Sequence, residues 1–237
     1  MESIYQSGEY LEHNRGWHTE DSVWKAQHIA RAIELYKVAH NRICDVGCGA
    51  GEVMRQLAGR YPASEFVGFD LSPQAYAFAR DRQAGNCRFV LGSALEESGF
   101  DLAMAIDVIE HVEDCYEFLR RMKRIATWKI FHIPLDMSVL AVAMNNPMWA
   151  RKEVGHLHYF SKETALATLA DCGYEIVGYQ FTNSQALNWQ NLFVGGRTGR
   201  KLTKLLVLGL PRFVVSMISP SLSSRFLGGL SLLVVAR

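Results

Sequence analysis

The sequence predicts an α/β fold built around a parallel sheet. Short apolar runs alternate with stretches of helical periodicity from residue 42 onward, a pattern that is typical of parallel strands joined by right-handed crossovers. Three of these runs end in an acid, at Asp45, Asp70 and Asp107. Because parallel strands end at one edge of a sheet, their carboxyl ends are expected to form a ligand site there.

The elements are predicted in chain order as follows. A helix begins near Asp21 and Ser22, and the later helices cover about 51–60, 72–84, 114–125 and 161–172. Two helix boundaries have clear sequence signals. Ser72-Pro73 combines an N-cap residue with proline at the first helical position, and Cys172-Gly173 has the glycine that is typical of a helix end. The predicted strands are 42–46, 65–69, 87–91, 101–106, 128–133, 174–181 and 231–236.

The first strand leads into a glycine turn, with Gly47, Gly49 and Gly51 at alternate positions. Glycine lets the backbone approach a ligand, and the N–H groups of the following helical turn favour a polar or anionic group. The spacing differs from the Gly-x-Gly-x-x-Gly of a dinucleotide site, so a pyrophosphate cradle is less well supported. A purely structural glycine turn is the alternative.

Asp70 lies about 20 residues past these glycines, where α/β nucleotide sites place a ribose-binding carboxylate. An ionised Asp accepts hydrogen bonds and suits a vicinal diol. Together, the segments 45–51, 68–72 and 106–112 make the chain similar to class I S-adenosylmethionine-dependent methyltransferases of the small-molecule type, which include the ubiquinone-biosynthesis enzymes. The resemblance to this family is good over about residues 40–135 and weaker in the rest of the chain.

The resemblance implies a Rossmann-like sheet of seven strands, with helices on both faces and an antiparallel last strand. It also implies S-adenosylmethionine as cofactor and S-adenosylhomocysteine as product. Asp45 would lie near the cofactor ammonium, Asp70 would bind the ribose and Leu71 would pack on the adenine. Where the family often has an acid for the adenine amino group, this chain has Gly92-Ser93-Ala94. The implied cofactor-binding residues are Asp45, Gly47, Cys48, Gly49, Gly51, Asp70, Leu71, Ser93, Ala94, Asp107 and Val108.

Three histidines are candidates for a catalytic base: His111, His156 and His158. Imidazole suits the deprotonation of a hydroxyl acceptor, although His156 and His158 are equally interpretable as structural residues of a loop. Zinc binding by this pair is disfavoured because no acid or cysteine cluster stands nearby in sequence, and no metal is expected. The resemblance implies substrate contacts for Trp17, His18 and Tyr159. Asp107 is also a candidate N-cap of the following turn, a role that is compatible with cofactor binding.

We predict a single methyltransferase domain over 1–237. It comprises an N-terminal lid and helix (1–40), a cofactor-binding core (41–136), a substrate-side insert with a helix (137–172) and an apolar helical insert before the last strand (183–230). The last insert is too interrupted to span a bilayer. It either packs on the sheet or a partner subunit, or forms an apolar surface for a lipid-like substrate or a peripheral membrane contact.

The net charge and the cysteine content limit the classes of substrate and the cellular compartment that we expect for this protein. The net charge of +1 argues against a nucleic-acid substrate, and an odd count of five cysteines without a Cys-x-x-Cys pair fits a cytoplasmic enzyme. No signal peptide is visible. Methyl transfer to a small molecule, at a hydroxyl oxygen, is the leading hypothesis. A nicotinamide-dependent oxidoreductase and a non-catalytic cofactor-binding or assembly partner are the alternatives, and the oligomeric state is left open.

Overall fold

In a computed structural model, residues 21–183 and 209–237 are described. Their helices are α1 (Ser22–Tyr36), α2 (Glu52–Arg60), α3 (Pro73–Arg80), α4 (Cys115–Met122), α5 (Val139–Ala143), α6 (Asn146–Glu153), α7 (Lys162–Asp171), α8 (Leu210–Ile218) and α9 (Pro220–Phe226). The strands are β1 (Arg42–Val46), β2 (Glu65–Asp70), β3 (Cys87–Leu91), β4 (Phe100–Ile106), β5 (Ala126–Pro134), β6 (Ile176–Thr182) and β7 (Ser231–Ala236).

The seven strands form one sheet in the order β3-β2-β1-β4-β5-β7-β6. Strands β1 to β5 pair in parallel, and β7 runs antiparallel to both β5 and β6. The predicted fold class, including the antiparallel last strand, is therefore confirmed. The strand order reverses beside β1, so the ends of β1, β2 and β4 meet at one edge, where open α/β sheets bind ligands.

Two apolar clusters fill the space on the two faces of the sheet. One contains Ile29 and Ile33 of α1 together with Leu57 of α2, and the other contains Leu119 of α4 and Leu169 of α7. Alternating apolar side chains of the strands supply the rest of both clusters, as expected for a sheet buried on both faces. This packing gives β1, β2 and β4 a rigid base under the site.

Several helices differ from the predicted ones at their ends. The helix predicted over 72–84 ends at Arg80, because Ala84 instead bridges Cys87 at the start of β3. The helix predicted to reach Ile125 ends at Met122, and a tight turn then leads into β5. The apolar stretch after Pro134 forms two short helices, α5 and α6. None of the helices within 21–183 and 209–237 is long and apolar enough to cross a membrane.

Candidate active site

Steric constraints require glycine at two positions of the turn between β1 and α2. Gly47 and Gly51 both have a φ of +77°. Residues other than glycine rarely adopt this backbone conformation. A Cβ on Gly47 would lie 2.8 Å from Val108 Cγ2, and one on Gly51 would lie 2.5 Å from Phe89 Cζ. The turn is thus packed tightly against the ends of β3 and β4, and it presents backbone rather than side chains to the sheet edge.

Asp45 provides a carboxylate oxygen that the fold leaves without a partner. The residue is 2% exposed, and its Oδ1 is buried with no hydrogen-bond partner among the described residues. Burial, and next the charge of Asp70, raise the pKa of Asp45 to about 7. A buried acceptor without a donor is costly unless a ligand supplies one, and the ammonium of an S-adenosylmethionine methionine portion is such a donor. The residues present therefore fit the cofactor.

Asp70 is fixed beside the glycine turn by backbone donors. Its Oδ2 accepts from Gly49 N at 2.8 Å and its Oδ1 from Ser72 N at 2.8 Å. Burial raises the pKa of Asp70, while these N–H groups oppose the rise. A carboxylate has about four lone-pair positions, so Asp70 keeps acceptor capacity for a ribose hydroxyl beside these backbone donors. Leu71 is 61% exposed, which leaves its side chain open to an adenine ring.

Three other predicted cofactor residues have different surroundings. Ser93 is exposed, and its Oγ accepts from Leu95 N at 3.2 Å, so its O–H remains a donor. Ala94 is 1% exposed and packs in the core. Cys48 lies in the turn, where burial raises the pKa of its thiol well above the usual value and keeps it neutral.

Asp107 belongs to a partly buried ionic network that the sequence did not reveal. Its Oδ2 lies 2.7 Å from Lys25 Nζ and its Oδ1 lies 2.5 Å from His132 Nδ1. The other ring nitrogen of His132 lies 2.9 Å from Thr182 Oγ1. Burial alone would raise the pKa of Asp107, but His132 and Lys25 hold it well below the usual range. The network joins α1, the first residue after β4, and strands β5 and β6.

The structure gives no support to a capping role for Asp107. The short 3₁₀ turn Ile109–His111 that follows it has Val108 at its N-cap, without a side-chain hydrogen bond. Asp107 itself has a φ of +55°. Its carboxylate is held by Lys25 and His132. Lys25, the partner of Asp107, is a residue of α1.

His156 is one member of a hydrogen-bonded pair. Its Nδ1 lies 2.6 Å from Asp136 Oδ2, and both residues are partly buried. A carboxylate at Nδ1 fixes the tautomer and leaves Nε2 for a substrate proton. Asp136 follows β5 in a loop and had no sequence pattern to single it out. Folding brings Asp136 to His156, although the two residues lie 20 positions apart in the sequence.

His111 and Glu110 lie against His156. The His111 ring stands 4.8 Å from the His156 ring, edge to face. Burial, and next the neighbouring His156, lower the pKa of His111 to about 4, so it is neutral at physiological pH. Glu110 is 0% exposed, and neither carboxyl oxygen has a hydrogen-bond partner in the described part of the chain. Burial, and next the charge of Asp107, raise the pKa of Glu110 well above the usual value.

Glu110, His111 and His156 offer ligand atoms that all lie within 4.8 Å of one another, which is compatible with a metal ion. A carboxyl ligand binds a metal in its ionised form, so metal binding there would be coupled to loss of a proton from Glu110.

His158 and Tyr159 contact the backbone. His158 Nε2 lies 2.7 Å from the carbonyl oxygen of Val112, and the Tyr159 hydroxyl donates to the carbonyl oxygen of His156 at 3.1 Å. These bonds favour the structural alternative for His158 and make Tyr159 a support for the loop of His156. Trp17 and His18 lie outside the described residues.

A family profile described as "Methyltransferase domain" matches residues 17–179. Trans-aconitate 2-methyltransferase of Deinococcus radiodurans is 37% identical over 82 residues, which is 34% of this chain and 32% of that protein. Ubiquinone biosynthesis O-methyltransferase of Azorhizobium caulinodans is 35% identical over 101 residues, which is 40% of this chain and 38% of that protein. The chain thus spans only about a third of the length of these curated relatives.

Solved structures show the same fold at low identity. A cyclopropane synthase of Mycobacterium tuberculosis is 15% identical, with a TM-score of 0.58, and the match covers 88% of this chain and 84% of that one. A phosphoethanolamine N-methyltransferase of Haemonchus contortus, solved with S-adenosyl-L-methionine, is 16% identical, with a TM-score of 0.54 and coverage of 84% and 48%. The predicted family and cofactor are confirmed: the chain belongs to the class I S-adenosylmethionine-dependent methyltransferases.

Proposed function

We propose that this protein transfers the methyl group of S-adenosylmethionine to a hydroxyl oxygen of a small molecule. When bound, the cofactor supplies a methyl group on a sulfonium, which needs alignment more than activation. The observation that carries the choice of acceptor is the pair Asp136–His156, with its 2.6 Å contact at Nδ1. A hydroxyl is a poor nucleophile unless a base takes its proton, and an oriented imidazole is suited to that task.

Cofactor binding and proton transfer are assigned to different residues of this chain. Asp45 and Asp70 bind the cofactor at the ends of β1 and β2, and Leu71 covers its base. His156 Nε2 accepts the acceptor's proton, and Asp136 holds the imidazole in the required tautomer and stabilises its charged form. His111, neutral and packed on the His156 ring, limits the access of water to that side.

A direct test is an S-adenosylhomocysteine release assay with a panel of phenols, lipid-like alcohols and matching amines. Turnover with hydroxyl acceptors and not with the amines is the expected result. Turnover with amines alone would contradict the oxygen assignment. Dialysis against EDTA should leave the rate unchanged, since we propose that the site works without a metal.

The pKa of Asp45 makes cofactor binding depend on pH. Without ligand, Asp45 is half protonated near pH 7, and an ammonium beside it favours the ionised form. Binding then requires loss of a proton below pH 7, so the affinity for S-adenosylhomocysteine should fall by up to about tenfold per pH unit between pH 7 and 5. Calorimetry at several pH values, in buffers of different ionisation enthalpy, measures both the affinity and the released proton.

Asp45→Asn is the control for this prediction, because an amide cannot titrate. Its affinity should be weaker and should vary less with pH than that of the wild type. An affinity of the wild type that stays constant from pH 5 to 8, with no proton released, would show that Asp45 is not next to the ammonium.

The proposal also covers the cellular compartment in which the protein works. All five cysteines are unpaired thiols, which supports a reducing compartment such as the cytoplasm. We expect reductant to leave the melting temperature unchanged, and a drop on reduction would show that a disulfide forms.

A further inference from the structure

Glu110 is a buried carboxyl group that the proposed methyl transfer does not use. It is 0% exposed, and neither of its side-chain oxygens has a hydrogen-bond partner among residues 21–183 and 209–237. Its backbone carbonyl accepts from Leu157 N at 2.7 Å and from His158 N at 3.1 Å, so the position of the residue is fixed. Burying two side-chain oxygens without a partner costs free energy, which a ligand at this position would recover.

Two imidazole rings lie beside this carboxyl group. His111 Nε2 is 3.8 Å from Glu110 Oε1, and the rings of His111 and His156 stand 4.8 Å apart, edge to face. One ligand atom from each of these three residues lies within 4.8 Å of the other two. His158 is not part of the cluster, because its Nε2 lies 2.7 Å from the carbonyl oxygen of Val112. The pair considered from the sequence is therefore replaced by two histidines and an acid from two separate segments.

Both imidazoles are held by a hydrogen bond at Nδ1. His156 Nδ1 lies 2.6 Å from Asp136 Oδ2, and His111 Nδ1 lies 3.2 Å from the carbonyl oxygen of Gly155. Because carboxylate and carbonyl oxygens only accept, each Nδ1 carries the proton and the lone pair of each ring is on Nε2. Histidines that bind metals in proteins are oriented in this way, by a carboxylate or a carbonyl oxygen at the second ring nitrogen.

The types of ligand atom select the class of ion. Imidazole suits Zn²⁺ and related transition metals, whereas Mg²⁺ and Ca²⁺ prefer oxygen ligands. Zinc bonds of about 2.0–2.2 Å place the ligand atoms of one ion about 3.3 Å apart, so the 3.8 Å between Glu110 and His111 is close to the required spacing. The side chains of His111 and His156 are 16% and 12% exposed, which gives an ion a path from solvent.

We propose that Glu110, His111 and His156 bind a zinc-type divalent cation, with water in the fourth position that three protein ligands leave open. The effect of this ion on turnover rests on the proposed function. An ion on His156 Nε2 takes the lone pair that would accept the proton of the hydroxyl acceptor, so the ion inhibits methyl transfer. This agrees with a rate that dialysis against EDTA leaves unchanged.

The test is calorimetric titration of the full chain, without a histidine tag, with Zn²⁺ and separately with Mg²⁺. It needs neither cofactor nor acceptor, so its outcome does not depend on the methyl-transfer proposal. About one Zn²⁺ per chain should bind, and Mg²⁺ should bind at least about a hundredfold more weakly. Asp136→Asn should weaken Zn²⁺ binding by about tenfold to a hundredfold, because it removes the carboxylate behind His156. Glu110→Gln and His111→Ala each remove a ligand and should weaken it at least as much.

His40→Ala is the matched control, since that histidine lies before β1 and outside the cluster. It should bind Zn²⁺ as tightly as the wild type, and melting curves check that every variant is folded. Co²⁺ in place of Zn²⁺ reports the ligand types, because bound thiolates absorb strongly in the near ultraviolet and imidazole and carboxylate ligands do not. Three results would overturn the site: no Zn²⁺ binding by the wild type, binding that both Glu110→Gln and His111→Ala leave unchanged, or a thiolate band with Co²⁺.

Inhibition is measured with a hydroxyl acceptor from the panel. Zn²⁺ should lower kcat of the wild type, EDTA should restore it, and Glu110→Gln should need at least about tenfold more Zn²⁺ for the same loss. Zinc binding that leaves the wild-type rate unchanged would contradict the contact with His156 Nε2. Full activity of His156→Ala would instead remove the base and leave the calorimetric result for the cation site standing.

Discussion

Replacing His156 with Ala is expected to lower kcat by about 10²–10⁴, the usual contribution of a positioned general base. The affinity for S-adenosylhomocysteine should not change, because the proposed cofactor contacts come from residues of 45–51 and 70–71 and not from His156. Asp136→Asn should lower kcat by a smaller factor, since the imidazole remains but loses the carboxylate that fixes its tautomer. Both are measured on an acceptor found in the panel of hydroxyl compounds.

His40→Ala is the control, because that histidine lies before β1 and contacts the carbonyl oxygen of Val38. It should retain wild-type kcat. His158→Ala provides a contrast: its ring bonds the carbonyl oxygen of Val112, so the expected effect is a lower melting temperature rather than a large loss of kcat. Full activity of His156→Ala with a hydroxyl acceptor would remove the base from the mechanism.

Asp70→Ala is expected to weaken S-adenosylhomocysteine binding by about tenfold to a hundredfold. A hydrogen bond to a charged group contributes about 1.5–3 kcal/mol, and 1.4 kcal/mol is a factor of ten in affinity. Part of the loss comes from the turn itself, because Asp70 also accepts from Gly49 N and Ser72 N. Asp70→Asn keeps the shape and one acceptor oxygen, so it should lie between the wild type and Asp70→Ala.

The control is Asp81→Ala, which removes an exposed carboxylate just past the end of α3. Its affinity for S-adenosylhomocysteine should match that of the wild type. Melting curves of all three variants separate a local effect on the ribose site from a loss of fold. If Asp70→Ala bound the ligand as tightly as the wild type, another group would have to hold the ribose.

The cofactor side of the site was predictable because its residues follow strand ends within short motifs. The glycines of 47–51 and the acid at Asp70 each come directly after an apolar run, so local sequence fixes both their conformation and their place at the sheet edge. The strand positions were predictable for the same reason. The helix ends were less predictable from the sequence. The end of α3, for example, depends on the bridge between Ala84 and Cys87, which is a tertiary contact.

The acceptor side was not predictable to the same degree. Asp136 reaches His156 across 20 residues of loop and helix, and no periodicity links the two. The network of Lys25, Asp107, His132 and Thr182 joins four separate segments. Such contacts depend on how elements pack rather than on local pattern, which is why Asp107 was interpreted from sequence without its partners.

The most direct test of the central claim is calorimetric titration of the wild-type protein with S-adenosylhomocysteine, with NAD as the comparison. Micromolar affinity for S-adenosylhomocysteine and no heat with NAD are the expected results, because the carboxylates of Asp45 and Asp70 suit an ammonium and a ribose diol, whereas the spacing of the glycines differs from that of a dinucleotide site. Binding of NAD, or of neither ligand, would contradict the assignment of this sheet edge as a methyl-donor site.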